Sequence, residues 1–152
     1  MKYHLFFIFL FLAFLGVACF SHESLPEESS VTIITAQKNI TFSVERATTI
    51  EQQRLGLSNR TELANDHGML FIFEPPRETY FWMKNTFIPL DIIYINENLS
   101  ISGIKEGALP CQTNCPLHES KQPVKYVLEI NGGLAKKYGI AAGQKISYRT
   151  AS

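Results

Sequence analysis

Eight short runs of β-branched and aromatic residues, each bounded by turn residues, confine this chain to a sheet-built domain. They read VTIIT from Val31, ITFSVER from Ile40, GMLFIF from Gly68, TYFWMK from Thr79, DIIYIN from Asp91, LSISGI from Leu99, VKYVLEIN from Val124 and KISYRT from Lys145. Regular spacing and few helical interruptions predict a mainly β domain, an antiparallel sandwich or barrel of about eight short strands. EPPRE, with two prolines that cannot donate to a ladder, reads as the connection of a hairpin between GMLFIF and TYFWMK. One helix is expected at IEQQRLGL, where Thr48 and Thr49 stand three residues before Glu51 and Gln52 in the capping-box arrangement. Ile50, Arg54 and Leu57 then share a face, which predicts that Ile50 and Leu57 pack on the sheet. A second short helix fits GGLAKKYG, stopped by Gly139.

Before these runs stands an address. Lys2 and His4 precede an unbroken apolar stretch from Leu5 to Leu15, and GVAC follows at Gly16 to Cys19. That is the order of a secretory signal, and the run is shorter than the roughly 20 residues of a comfortable membrane span. The small residues before Cys19 resemble the bacterial lipobox, which implies lipidation of Cys19; plain cleavage after Ala18 or a retained anchor are the alternatives. We therefore divide the chain into a signal over residues 1–19, a polar tether over 20–30 and one globular domain over 31–152. The expected location is the periplasmic side of the envelope, with membrane contact through the N-terminal lipid or signal segment.

Charge and cysteines narrow the partners. Fourteen basic residues balance fourteen acidic ones with no basic block to follow a phosphate backbone, so nucleic acid is not an expected partner. In LPCQTNCPLH, Cys111 and Cys115 read most simply as a disulfide across a tight loop of an exported protein. Adding His118 and His67 would make a metal reading, but the paired CxxC spacing is missing, and neither metal nor cofactor is expected.

The chemistry is concentrated in FWMKNTFIPLDIIYI, Phe81 to Ile95, where Lys84, Asn85 and Asp91 interrupt an apolar run. On a strand starting at Asp91, the carboxylate shares a face with Ile93 and Ile95 while Leu90, Ile92 and Tyr94 fill the other. A carboxylate there costs several kcal/mol unless it is paired or hydrogen-bonded. Either it makes a structural pair, for example with Arg60, or it accepts from a ligand with Asn85 beside it, or it serves as a general acid or base. Pro89 makes NTFIPL a connection at the domain edge. This predicts a concavity bordered by Asn85 and Asp91, roofed by Arg54 to Arg60, with Trp82 packed behind it.

ERATTIEQQRLGLSNR, then GMLFIFEPPRETYFWMKNTFIPLDIIYIN, then YVLEINGGLAKKYGIAAGQKI, from about Phe42 to Ile146, is similar to the family called domain of unknown function 192. The resemblance implies a compact, mostly β fold with one prominent helix, found in small exported or lipid-anchored bacterial proteins, and no established activity. Arg60, His67, Met83, Lys84, Asn85 and Asp91 are the candidate binding residues. No GxSxG, HExxH or phosphate-cradling glycine loop occurs. The expectation is a non-catalytic module for a small ligand, a glycan or an envelope protein. The alternative is a hydrolase-like envelope enzyme using Asp91 with His67 or Lys84.

Overall fold

All eight runs form strands in the computed structural model, which describes residues 29–151, and a ninth joins them. The order is β1 (Ser30–Ile34), β2 (Asn39–Ala47), α1 (Ile50–Leu55), β3 (His67–Arg77), β4 (Tyr80–Phe81), β5 (Leu90–Ile95), β6 (Ile101–Ala108), β7 (His118–Glu119), β8 (Val124–Asn131), α2 (Leu134–Tyr138) and β9 (Lys145–Arg149). The signal, Cys19 and residues 20–28 of the tether lie outside the described residues, and Ser30, expected in the tether, already belongs to β1.

Seven strands make one sheet in the order β6-β5-β8-β3-β2-β1-β9, and β4 pairs with β7 in a second, two-stranded sheet. The large sheet curls into a half-barrel. Its edges meet at one corner, where Ile146 donates to the Leu99 carbonyl at 2.9 Å and Ile101 donates to the Gln144 carbonyl at 2.9 Å. Neighbours run antiparallel except β2 and β3, which are parallel. Residues 48–66, with α1 among them, form the crossover that a parallel pair requires.

The predicted hairpin does not form. β3 runs on through both prolines to Arg77, and β4 pairs with β7 instead. Between Ile72 and Arg77 the register with β8 shifts, so the prolines stand where no ladder N–H is required.

Alternation on the central strands serves two cores at once. Leu70, Ile93, Ile95, Leu128 and Ile130 point into a cluster closed by Leu134 and Ala135 of α2, while Met69, Phe71, Ile92, Tyr94 and Val127 point into a second cluster with Leu57, Phe81 and Met83. β5 is therefore buried at every residue, including Asp91, which has no exposed surface.

Asp91 is satisfied by backbone and not by Arg60. Its Oδ1 accepts from the Gly107 amide at 2.7 Å and its Oδ2 from the Ala135 amide at 2.8 Å. The first donor lies in a bulge of β6, opposite the register shift between Leu90 and Ile92. The second is an orphan N–H in the first turn of α2, whose N-cap Gly133 has no side chain to offer. Between them, Gly132 donates to the Pro89 carbonyl at 2.8 Å, and a Cβ at Gly132 would stand only 3.0 Å from that of Pro89. Close approach thus selects glycine there.

Trp82 is 48 % exposed, so it does not pack behind the site as core. Asp91→Ala, which strands two buried donors, should lower stability by about 2–4 kcal/mol, whereas Trp82→Ala should stay within about 1 kcal/mol. Urea unfolding of both variants checks the order; a costlier Trp82→Ala would contradict it.

Candidate functional site

The helix α1 begins as its sequence dictates. Thr49 Oγ1 accepts from the Gln52 amide at 3.2 Å, and Gln52 Oε1 accepts from the Thr49 amide at 3.0 Å, closing the capping box. The packing differs from expectation: Leu57 is buried, but Ile50 is 82 % exposed. The helix stands off the sheet and buries none of its own residues.

Beneath it lies a cavity of about 320 Å³. Phe71, Phe73, Phe81 and Leu57 line it, and Ile50, Arg54, Leu55, Arg77, Tyr80 and Trp82 stand around it as its exposed members. Phe71 and Phe81 meet edge to face at 4.9 Å between centroids. Gly56, the C-cap of α1 at φ 50°, brings the chain close over Phe71: a Cβ there would lie 3.3 Å from Phe71 Cζ and 3.9 Å from Glu129 Oε2.

Glu129 is the residue that sequence reasoning missed. It sits on β8 between Met69 of β3 and Ile92 of β5 and lines the cavity with only 4 % of its surface exposed. Its carboxylate makes no hydrogen bond or ion pair among the described residues. Burial without a partner pushes its ionisation up to about 8. Tyr94, on the same face of β5, has a buried hydroxyl that lacks a hydrogen-bond partner among the described residues. Burial, then the negative charges of Glu129 and Glu119, push that phenol well above its ordinary range. The sequence carries little signal for it: in VKYVLEIN, Glu129 shares a strand face with Val127 but also with Lys125 and Asn131, the pattern of a solvent face.

The six sequence-predicted residues do not converge. Asp91 lies inside the sheet, and the Met83 side chain belongs to the second core cluster. Lys84 and Asn85 border a neighbouring concavity with Glu51, Arg54, Ser58, Asn59 and Trp82, so the Arg54 to Arg60 segment roofs Asn85 but not Asp91. Lys84 Nζ lies 5.6 Å over the Trp82 ring. Asn85 adopts φ 57°, a left-handed turn that asparagine tolerates; its carbonyl accepts from the Asn59 amide at 2.7 Å and its amide donates to the Cys111 carbonyl at 3.1 Å. Arg60 pairs bidentately with Glu45, both bonds at 2.6 Å. His67, which shares a groove with that pair, contacts Asp66 at 2.8 Å. That contact is the main cause of an Asp66 carboxyl held below the usual range. Cys111 and Cys115 are joined as a disulfide.

A family model described as "Uncharacterized ACR" (DUF192) matches residues 32–148. The chain belongs to the DUF192 family. Two solved structures are similar to about four-fifths of it. One, from Sinorhizobium meliloti 1021 and described as a "putative transcription regulator", is 37% identical with a TM-score of 0.75, covering 80% of this chain and 94% of that one. The other, a protein of unknown function from Novosphingobium aromaticivorans DSM 12444, is 39% identical with a TM-score of 0.74, covering 78% and 83%. No curated protein matches the chain. The DUF192 identity thus carries the fold, and the site must be judged from its own chemistry.

Glu129 gives a pH signature. The folded protein holds the Glu129 proton up to about pH 8, whereas an unfolded glutamate releases it near 4.5. Between those values the native state binds more protons, so stability contributed below 4.5 is lost as pH rises towards 8. Unfolding midpoints of the native protein should fall over that window. Glu129→Gln should flatten the fall and raise the midpoint at pH 8; an unchanged profile would place the carboxylate in water.

Proposed function

We propose that this DUF192 protein is an exported, lipid-anchored binding module that holds a small ligand in the cavity beneath α1. The observation that carries this reading is the pairing of an aromatic-walled cavity with one buried, unpartnered carboxylate, Glu129. Its volume of about 320 Å³ stands at the low end of the roughly 300–1,000 Å³ of small-molecule sites. Exposed Ile50, Leu55, Tyr80 and Trp82 line the same cavity, a concentration of apolar surface that a ligand would help to cover.

Export and anchoring rest on Lys2 to Cys19, on the polar tether that follows and on the Cys111–Cys115 disulfide, a bond that persists in oxidising compartments. The enzyme reading through Asp91 loses ground because both of its oxygens are occupied by backbone amides, and neither His67 nor Lys84 shares a cavity with it. The transcription-regulator wording belongs to the Sinorhizobium protein; balanced charge gives it no support here.

Native mass spectrometry of protein extracted from membranes tests both halves. The expected spectrum shows a lipid mass at Cys19 and a non-covalent adduct lost on denaturation. Cys19→Ala should release the protein from the membrane fraction or leave it unprocessed. Unchanged fractionation of that variant would overturn the anchor, and an adduct-free spectrum from every native preparation would count against the ligand.

A further inference from the structure

Resting on the reading of this cavity as the site, we propose that its ligand is an organic monocation with an apolar body, an aryl- or alkylammonium, whose N–H groups meet Glu129 while the body lies against Phe71 and Phe81. Two observations and one principle lead there. Glu129 is more than nine-tenths buried and lines the cavity, yet no donor among the described residues reaches it. A buried carboxylate left unpaired is expensive, and a cation carrying several donors offsets that cost better than any neutral group. The walls are aromatic, and aromatic faces attract cations as well as apolar bodies.

The charged and titratable groups around Glu129 leave that role open. Arg77 of β3 is engaged elsewhere, with Nη2 on Gln53 Oε1 at 3.0 Å and its guanidinium 4.8 Å over the Phe73 ring. Arg54 of α1 lines the cavity but is exposed and makes no ion pair with Glu129. Tyr94 of β5 stays protonated and neutral, and the negative charge of Glu119 of β7 acts on that phenol. Neither arginine neutralises the carboxylate, so that role is left to a bound cation.

Because an empty Glu129 holds its proton up to about pH 8, a cation must displace that proton to bind. Affinity should therefore rise about tenfold per pH unit between pH 6 and 8 and level off above. A neutral ligand that accepts a hydrogen bond from protonated Glu129 would show the opposite slope.

The experiment titrates the whole mature protein with 2-phenylethylammonium, neutral 2-phenylethanol and anionic 3-phenylpropionate. Calorimetry and the fluorescence of Trp82, the only tryptophan, report binding. We expect the ammonium to bind at least tenfold more tightly than the alcohol at pH 8, the anion to bind weakest, and Glu129→Gln to abolish the preference. The pH series uses unaltered protein, so it stands even if that variant fails to fold. Equal or tighter binding of the alcohol, an affinity that falls as pH rises, or a preference that survives Glu129→Gln would overturn the cation. If none of the three probes binds while native protein carries an adduct, the cation falls and the cavity reading stands. If neither is seen, both fall.

Discussion

Two hydrogen bonds accepted by the Asp91 carboxylate hold three separate pieces of this fold in register. β5 lies one strand in from the sheet edge and is buried on both faces, β6 bulges against it, and α2 starts beside it without a capping side chain of its own. An ionised group in that position would be a liability in isolation. With an amide of Gly107 on one oxygen and of Ala135 on the other, its desolvation is offset by two charge-assisted bonds, and two backbone donors that would otherwise be orphaned are satisfied. The positive end of the α2 first turn adds a favourable field. The close contact of Gly132 with Pro89 depends on the same junction.

The contrast with Glu129 separates scaffold from site. Asp91 pairs across β5 and β8 with Ile130, and the next residue of β8, Glu129, pairs with Ile92. One step along each strand turns the side chain to the opposite face. Two buried carboxylates therefore lie one register position apart on opposite sides of one sheet. One faces the core sealed by α2 and has its oxygens filled; the other faces the cavity under α1 and has no partner among the described residues. A fold gains nothing in stability from a carboxylate of the second kind, which is the physical reason for assigning it to binding. Strain or cost without structural return is what a ligand site carries while empty.

Much of this architecture was legible in the sequence. Period-two patterning placed every strand of the large sheet, the Thr49 and Gln52 spacing placed the start of α1, Gly139 placed the end of α2, and the Pro-flanked cysteines form their disulfide. The parallel β2–β3 pair, the loss of the hairpin and the ninth strand were not legible. They depend on partners distant in the chain, such as Glu119 and His118 opposite Tyr80 and Phe81. The burial of Asp91 was legible but its partners were not, because backbone amides leave no mark in a sequence, whereas Arg60 and Lys84 stood out as cations. Trp82 read as core because aromatic residues in a strand run usually are; the chain leaves the sheet after Phe81 and turns the indole outward. Glu129 was overlooked in VLEI because one acidic residue in a strand is ordinarily its solvent face.

The central claim is that Glu129 is a buried carboxylate held in reserve for a cation. Carbon-detected NMR of its side-chain carboxyl, titrated with acid and base, reads this directly. The account predicts a midpoint near 8 in the free protein, and a lower midpoint once 2-phenylethylammonium saturates the cavity. A free-protein midpoint near the ordinary 4.5, or one that the ammonium leaves unmoved, would contradict it.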